Sequence, residues 1–176
     1  MDSSDFLTFL QRRSSVREYD GTAPGEDCIA FILQCARTAP SAGNREGWDV
    51  VIVTDPSLRE GLSEAAFEQR HVGEAPAVLV VCANYIRSMS QYGERGILYA
   101  VQDATIAATF MMLAAHAAGL QTCWTGAFDE DAVRELLALP QHVRPVALLT
   151  VGYGTLPAVR TGRMPVADHV HRETWL

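Results

Sequence analysis

Five residues near the N-terminus, Arg13-Ser14-Ser15-Val16-Arg17, place two guanidiniums four positions apart with hydroxyls between them. Guanidinium forks suit phosphate oxygens or the polar edge of a planar ring. The cluster equally fits a solvated helix end with cations near its C-terminus, and alone it leaves both readings open. A second constellation, Pro40-Ser41-Ala42-Gly43-Asn44 followed by Trp48, joins small residues to an amide and lets backbone approach a flat ligand closely. It also reads as an ordinary helix-to-strand turn. A third, Thr122-Cys123-Trp124-Thr125-Gly126, ends on a glycine that frees backbone N–H groups to point at a ligand atom. Arg160 and Arg163 add cations in the tail.

Composition narrows the chemistry. The chain has 176 residues, which fits one domain spanning 1–176. All 14 basic residues are Arg against 21 acids, a net charge of −7. With no Lys, a P-loop, a kinase-type lysine and Schiff-base chemistry are excluded. The absence of a basic run argues against nucleic acid and against a membrane surface as partner. The four cysteines form no C-x-x-C pair, and Cys28 and Cys35 are too far apart on one helix for a disulfide. Reduced thiols in a cytoplasmic protein are the expectation. His169 and His171 have no third ligand indicated, and Gly152-Tyr153-Gly154 lacks the third glycine of a dinucleotide turn.

The elements that position these residues follow from periodicity. Ser3 or Ser4 is expected to cap a first helix carrying Phe6, Phe9 and Leu10. Helices follow at about 26–38 and, opened by Asp55-Pro56, at about 57–68. The apolar runs 48–54, 77–83 and 145–152 read as buried strands covered on both faces, which makes a layered αβα arrangement. No formal charge occurs from Ala104 to Phe128, and the spacing predicts a central helix over 103–118 ended by Gly119. An apolar helix with several Thr and Ala belongs inside a protein or between two subunits, rather than across a bilayer. Tyr92, Glu94 and Arg95 fall on the loop before it, and a last helix opens at Asp129.

The stretches RRSSVREY (12–19), APSAGNREGW (39–48), APAVLVVCAN (75–84) and YAVQDATIAATFMMLAAHAAGLQTCWTGAF (99–128), with VGYG and Arg163-Met-Pro165, together resemble the nitroreductase family of flavin enzymes. The resemblance implies an α+β fold with a central mixed β-sheet flanked by helices, in a homodimer with a long central interface helix. It implies FMN as cofactor, with NAD(P)H as hydride donor. Arg13, Ser14 and Ser15 would serve the phosphate and ribityl side, Arg17 the pyrimidine edge, and Arg163 the phosphate. Pro40, Ser41, Ala42 and Asn44 would be lent to the flavin of the other subunit. Trp124, Thr125 and Gly126 would supply the segment whose N–H meets flavin N5. Two departures stand out. Glu46-Gly47 replaces the Gln-Pro of many relatives, and Thr161 stands where relatives often add a basic residue, so Arg160 substitutes or the phosphate has fewer ligands.

The activity implied is ping-pong hydride transfer through FMN to a small electron-poor acceptor such as a nitroaromatic or quinone. The same resemblance allows dehalogenation, peptide oxidation or consumption of the flavin. A flavin-binding module without turnover remains the reading from another class.

Overall fold

The computed structural model describes residues 2–159 and 161–175. Its centre is a four-stranded sheet in the order β2 (Trp48–Val53), β3 (Ala77–Asn84), β5 (Val143–Gly152), β4 (Gln121–Thr125), with every neighbouring pair antiparallel. Among the described residues the one parallel component is a bridge from Ser15 to Thr122 at the β4 edge, which makes the sheet mixed there. All of β3 is buried, as its unbroken apolar run requires. Strand β2 is an edge strand and only half-covered, with Ile52 44% exposed, which corrects the expectation of a fully buried strand. An apolar run by itself does not distinguish a central position from an edge.

One layer of helices covers each face. On the first face, α2 (Glu26–Ala36) and α6 (Arg95–Ala117) build a core with Ile32, Leu79, Ala104, Met111 and Leu149. On the other, α3 (Pro56–Ala65), α4 (Arg70–Glu74) and α7 (Glu130–Leu136) enclose Leu62, Val72, Val80, Val133 and Leu148. The buried face of α6 is largely alanine, at 100, 104, 107, 108, 114 and 115, which brings its backbone close to the sheet. That helix is long and apolar enough to cross a membrane, yet Ile32, Leu79 and Leu149 pack against it in the core.

Several expected boundaries shift. Helix α6 starts at Arg95 rather than near 103, and α5 (Tyr85–Tyr92) precedes it. Tyr92, Glu94 and Arg95 therefore sit at a helix–helix junction, turned by Gly93 at φ 57°, and not on a loop. Helix α1 (Ser3–Arg12) is capped by Asp2, whose side chain accepts the Asp5 N–H at 2.8 Å, instead of by Ser3 or Ser4. It buries none of its residues, and Phe9 leans on His116 with ring centres 4.7 Å apart. Asp55 caps α3 as expected, but that helix stops at Ala65 because Phe67 and Glu68 adopt positive φ. A small ribbon pairs β1 (Glu18–Tyr19) with β6 (Gly154–Thr155). A Cβ at Gly154 would strike the Glu18 carbonyl, so this glycine serves a close backbone crossing, not a phosphate turn.

Candidate functional site

Helix α1 ends at Arg12, and the chain from Arg13 runs extended along β4. The Val16 N–H donates to the Thr122 carbonyl at 3.0 Å, and the Val16 side chain is buried. Alternation along extended chain puts Ser15 and Arg17 on the side opposite Val16. The anchor is extended by Tyr19, whose hydroxyl lies 2.6 Å from Thr150 Oγ1 and donates to the Val16 carbonyl at 3.0 Å. Thr150 Oγ1 in turn accepts the Cys123 N–H at 3.1 Å. Burial holds the Tyr19 phenol above its usual range, so it stays a neutral donor.

This anchoring gathers Arg13, Ser14, Ser15, Arg17, Thr161 and Arg163 around one cavity of about 570 Å³, with Leu10, Pro157 and Val159 as apolar wall. No carboxylate lines it among the described residues. Three cations and three hydroxyls make an electropositive, donor-rich hollow suited to a dianionic phosphate with a polyol attached. Thr161, the residue at the departure noted above, sits in this wall. Arg160 lies outside the described residues.

Trp124, Thr125 and Gly126 do not line this cavity; β4 flanks it through the bridge from Thr122 to Ser15. Burial pushes the Cys123 thiol up, while the guanidiniums of Arg17 and Arg13 and hydrogen bonds with Thr125 and Ser15 pull the other way. Gly126 is exposed just past the strand, with the Trp124 indole close beneath it. His71 is buried on α4, and its Nε2 lies 2.8 Å from Thr125 Oγ1. Burial lowers its pKa and Arg17 lowers it further, against an opposing pull from Glu74, so it is neutral near pH 7.

The Pro40–Asn44 segment is not brought to this cavity within one chain. The Ala42 N–H donates to Asp103 Oδ1 at 2.9 Å, the Gly47 N–H donates to Asp103 Oδ2 at 3.1 Å, and Ser41 Oγ accepts the Glu46 N–H at 3.0 Å. These bonds pin the loop to α6, on the same sheet face as α2. Asn44 and Glu46 both adopt positive φ. Gly47 has no space for a Cβ, which would meet Ser88 Oγ, Asp103 Oδ2 and the Ala100 backbone. The glycine at this departure from the Gln-Pro pattern is thus required by its own surroundings.

Sequence reasoning missed Asp103, His71 and Gln69. Asp103 carried a signal: it shares the i, i+3, i+4 register of Ala100, Ala104 and Ala107, so an acid had to lie on the buried face. His71 and Thr125 are 54 positions apart, and nothing local links them.

The Nitroreductase family model matches residues 10–71 and 67–153. A Thermus thermophilus protein named NADH dehydrogenase is 30% identical over 92% of this chain and 93% of its own length. A Bacillus subtilis protein named FMN reductase [NAD(P)H] is 27% identical over 98% of this chain and 75% of its own length. The solved structure of B. megaterium NfrA2 superposes with a TM-score of 0.91 at 29% identity, covering 100% of this chain and 76% of that one.

Proposed function

The chain belongs to the nitroreductase family, and on that premise we propose a homodimeric oxidoreductase that moves hydride from NADH or NADPH to a small electron-poor acceptor of nitroaromatic or quinone type. It is an NAD(P)H-dependent flavin enzyme with FMN as cofactor. The residues present fit that cofactor, and the cavity lined by Arg13, Ser15, Arg17 and Arg163, with no carboxylate among its described lining residues, is the observation that carries the reading. When bound, FMN supplies two-electron acceptance and donation, the two halves of a ping-pong cycle.

The chain's own residues then bind, orient and polarise. Arg13 and Arg163, with the Ser14 and Ser15 hydroxyls, neutralise the phosphate. Arg17 presents a fixed cation to the ring edge, where negative charge accumulates on reduction. Trp124, Thr125 and Gly126 supply the wall and N–H donors on the reacting side. No side chain is assigned as acid or base. Pro40, Ser41, Ala42 and Asn44, held on α6 away from their own cavity, fit a role at the partner subunit's site. A dimer would also cover the half-exposed stripe Ile106, Phe110 and Leu113 on α6. Four unpaired cysteines fit a cytoplasmic setting for this single 1–176 unit.

The test is direct. Purified protein is expected to be yellow, to release FMN and not FAD on denaturation, to bleach with NADPH and to recolour with a quinone. Light scattering should give twice the 19.2 kDa chain mass. A colourless protein that cannot be reconstituted with FMN refutes the cofactor. Bleaching without reoxidation by any acceptor reduces the protein to a flavin binder.

A further inference from the structure

Three hydrogen bonds tie the end of β4 and the chain after it to the segment that runs from the last residue of α3 into α4. The Asp129 N–H donates to the Ala65 carbonyl at 2.8 Å. Gln69 Nε2 donates to the Ala127 carbonyl at 2.9 Å. His71 Nε2 and Thr125 Oγ1 complete the set at 2.8 Å. Residues 125, 127 and 129 thus run against 71, 69 and 65, and exposed Gly126 is left between two held neighbours. The second hydrogen of the Gln69 amide is spent on the Ala66 carbonyl at 2.9 Å, so that side chain is fixed at both hydrogens.

The connection that bears Gln69 and His71 is itself conformationally costly. Phe67 and Glu68 are consecutive non-glycine residues at φ 58° and 60°. Both are held by the last turn of α3: the Phe67 N–H reaches the Glu64 carbonyl and the Glu68 N–H the Ser63 carbonyl, each at 3.0 Å. Ser63 Oγ donates to the Gln69 carbonyl at 3.2 Å. Strain of this kind persists only where surrounding structure fixes it, and it concentrates beside functional segments. The strained turn leads straight into the two side chains that grip β4's end. That strand is bridged at Thr122 to Ser15, and the Thr122 carbonyl accepts the Val16 N–H at 3.0 Å.

We propose that Gln69 and His71 are positioning residues, which fix the Thr125–Gly126 backbone beside the cofactor cavity from outside it. The role rests on the FMN reading above. Neither side chain lines the cavity. Their effect passes through the two flanking grips, at Thr125 Oγ1 and at the Ala127 carbonyl, and it fixes the Gly126 N–H direction without touching the cofactor. A packing role alone would tolerate an apolar residue of similar size at position 71. A positioning role requires a polar atom where Nε2 now sits.

The test uses the full chain reconstituted with FMN and compares His71→Leu, His71→Gln, Gln69→Leu and Thr125→Val. The readouts are the midpoint potential of bound FMN, by titration against a reference dye, and the FMN dissociation constant. With His71→Leu, the reduced-to-oxidised ratio at a fixed potential should fall about tenfold, the scale of one hydrogen bond, while FMN affinity changes less than about threefold. His71→Gln, whose amide can reach Thr125 Oγ1, should recover most of that ratio. Thr125→Val should match His71→Leu, and the double variant should add nothing further. A wild-type potential in His71→Leu overturns the proposal, as does equal behaviour of the Leu and Gln variants. If His71→Leu does not fold, an unchanged potential in both Gln69→Leu and Thr125→Val overturns it instead. A wild-type chain that retains no FMN overturns the cofactor reading itself, which separates the two failures.

Discussion

The Asp103 carboxylate receives the N–H of Gly47 at 3.1 Å across 56 positions of sequence, inside the protein, where a Cβ on Gly47 would collide with Ser88. The same carboxylate holds Ala42 at 2.9 Å through its other oxygen. One side chain on α6 thus ties both ends of the 42–47 loop. Hydrogen bonds to a charged acceptor are among the stronger ones, and leaving their donors unpaired costs more than never having them.

Asp103→Leu should therefore destabilise the fold by about 2–4 kcal/mol, since two N–H groups lose their acceptor together. Asp103→Asn, which keeps one acceptor oxygen, should cost roughly half as much. Chemical denaturation reads both. Equal stability of Asp103→Leu and wild type would remove the carboxylate from its assigned place.

Gly47→Ala should cost about 1–3 kcal/mol through overpacking. Ser88 Oγ is buried without a hydrogen-bond partner among the described residues. Ser88→Ala should then be neutral or stabilising by up to about 1 kcal/mol. Because Ser88 Oγ is the nearest obstacle to a Cβ at 47, the double variant should be more stable than the two single effects sum to. Strict additivity would show that the collision lies elsewhere.

Arg13 and Arg17 line the same cavity but should fail differently. Arg13→Ala should weaken FMN retention by about 1.5–3 kcal/mol, the range for a charge-assisted bond. Arg17→Ala should lower the flavin potential and slow hydride uptake with a smaller loss of affinity, since removing a cation destabilises the anionic reduced ring most. If Arg17→Ala sheds FMN as Arg13→Ala does and leaves the potential unchanged, both are phosphate ligands.

His71 gives the pH dependence a sign. Its folded pKa lies below the ordinary 6.5, through burial first and Arg17 second, with Glu74 opposing. The unfolded chain therefore binds the proton at higher pH than the folded one. The associated stability is complete above 6.5 and is lost as pH falls below it through the folded value. Thermal midpoints should be level from about pH 8 to 7 and decline toward about pH 5.5, and His71→Gln should flatten that decline. An identical slope in the variant would assign the loss to other groups.

The thiols divide into two classes. Cys82 is buried and pushed up to about 12, by desolvation first and Asp49 second. Burial raises Cys123 too, whereas Cys28 and Cys35 are half-exposed on α2. A small disulfide reagent should label two thiols quickly in the native protein and all four in denaturant. Rapid native labelling of Cys123 would mean that β4 opens.

What the sequence disclosed was local or periodic. The β3 and β5 runs and the Asp55-Pro56 helix start rest on short-range pattern, whereas the expectation that Arg163 joins Arg13 and Ser15 came from family resemblance alone. Helix α5 and the first turns of α6 escaped because 85–99 mixes aromatics, charges and two glycines with no clean apolar face. The half-covered state of β2 escaped because edge and centre share one apolar code. The grip of Gln69 and His71 on β4 escaped for a different reason: partners more than fifty residues apart leave no joint trace in a single chain.

Helix α1 has no fully buried residue, touches the rest of the chain through half-buried Phe9 and Leu10, and leads directly into Arg13. Its docked state is therefore worth little free energy, and it opens far more readily than the sheet beneath it. A ligand gripping Arg13 stabilises only the docked form and adds RT ln(1 + [L]/Kd) to its closure. The first dozen residues then work as an occupancy gauge: limited proteolysis there should run quickly on empty protein and slow in proportion to loading, reporting cofactor status without any measurement of colour.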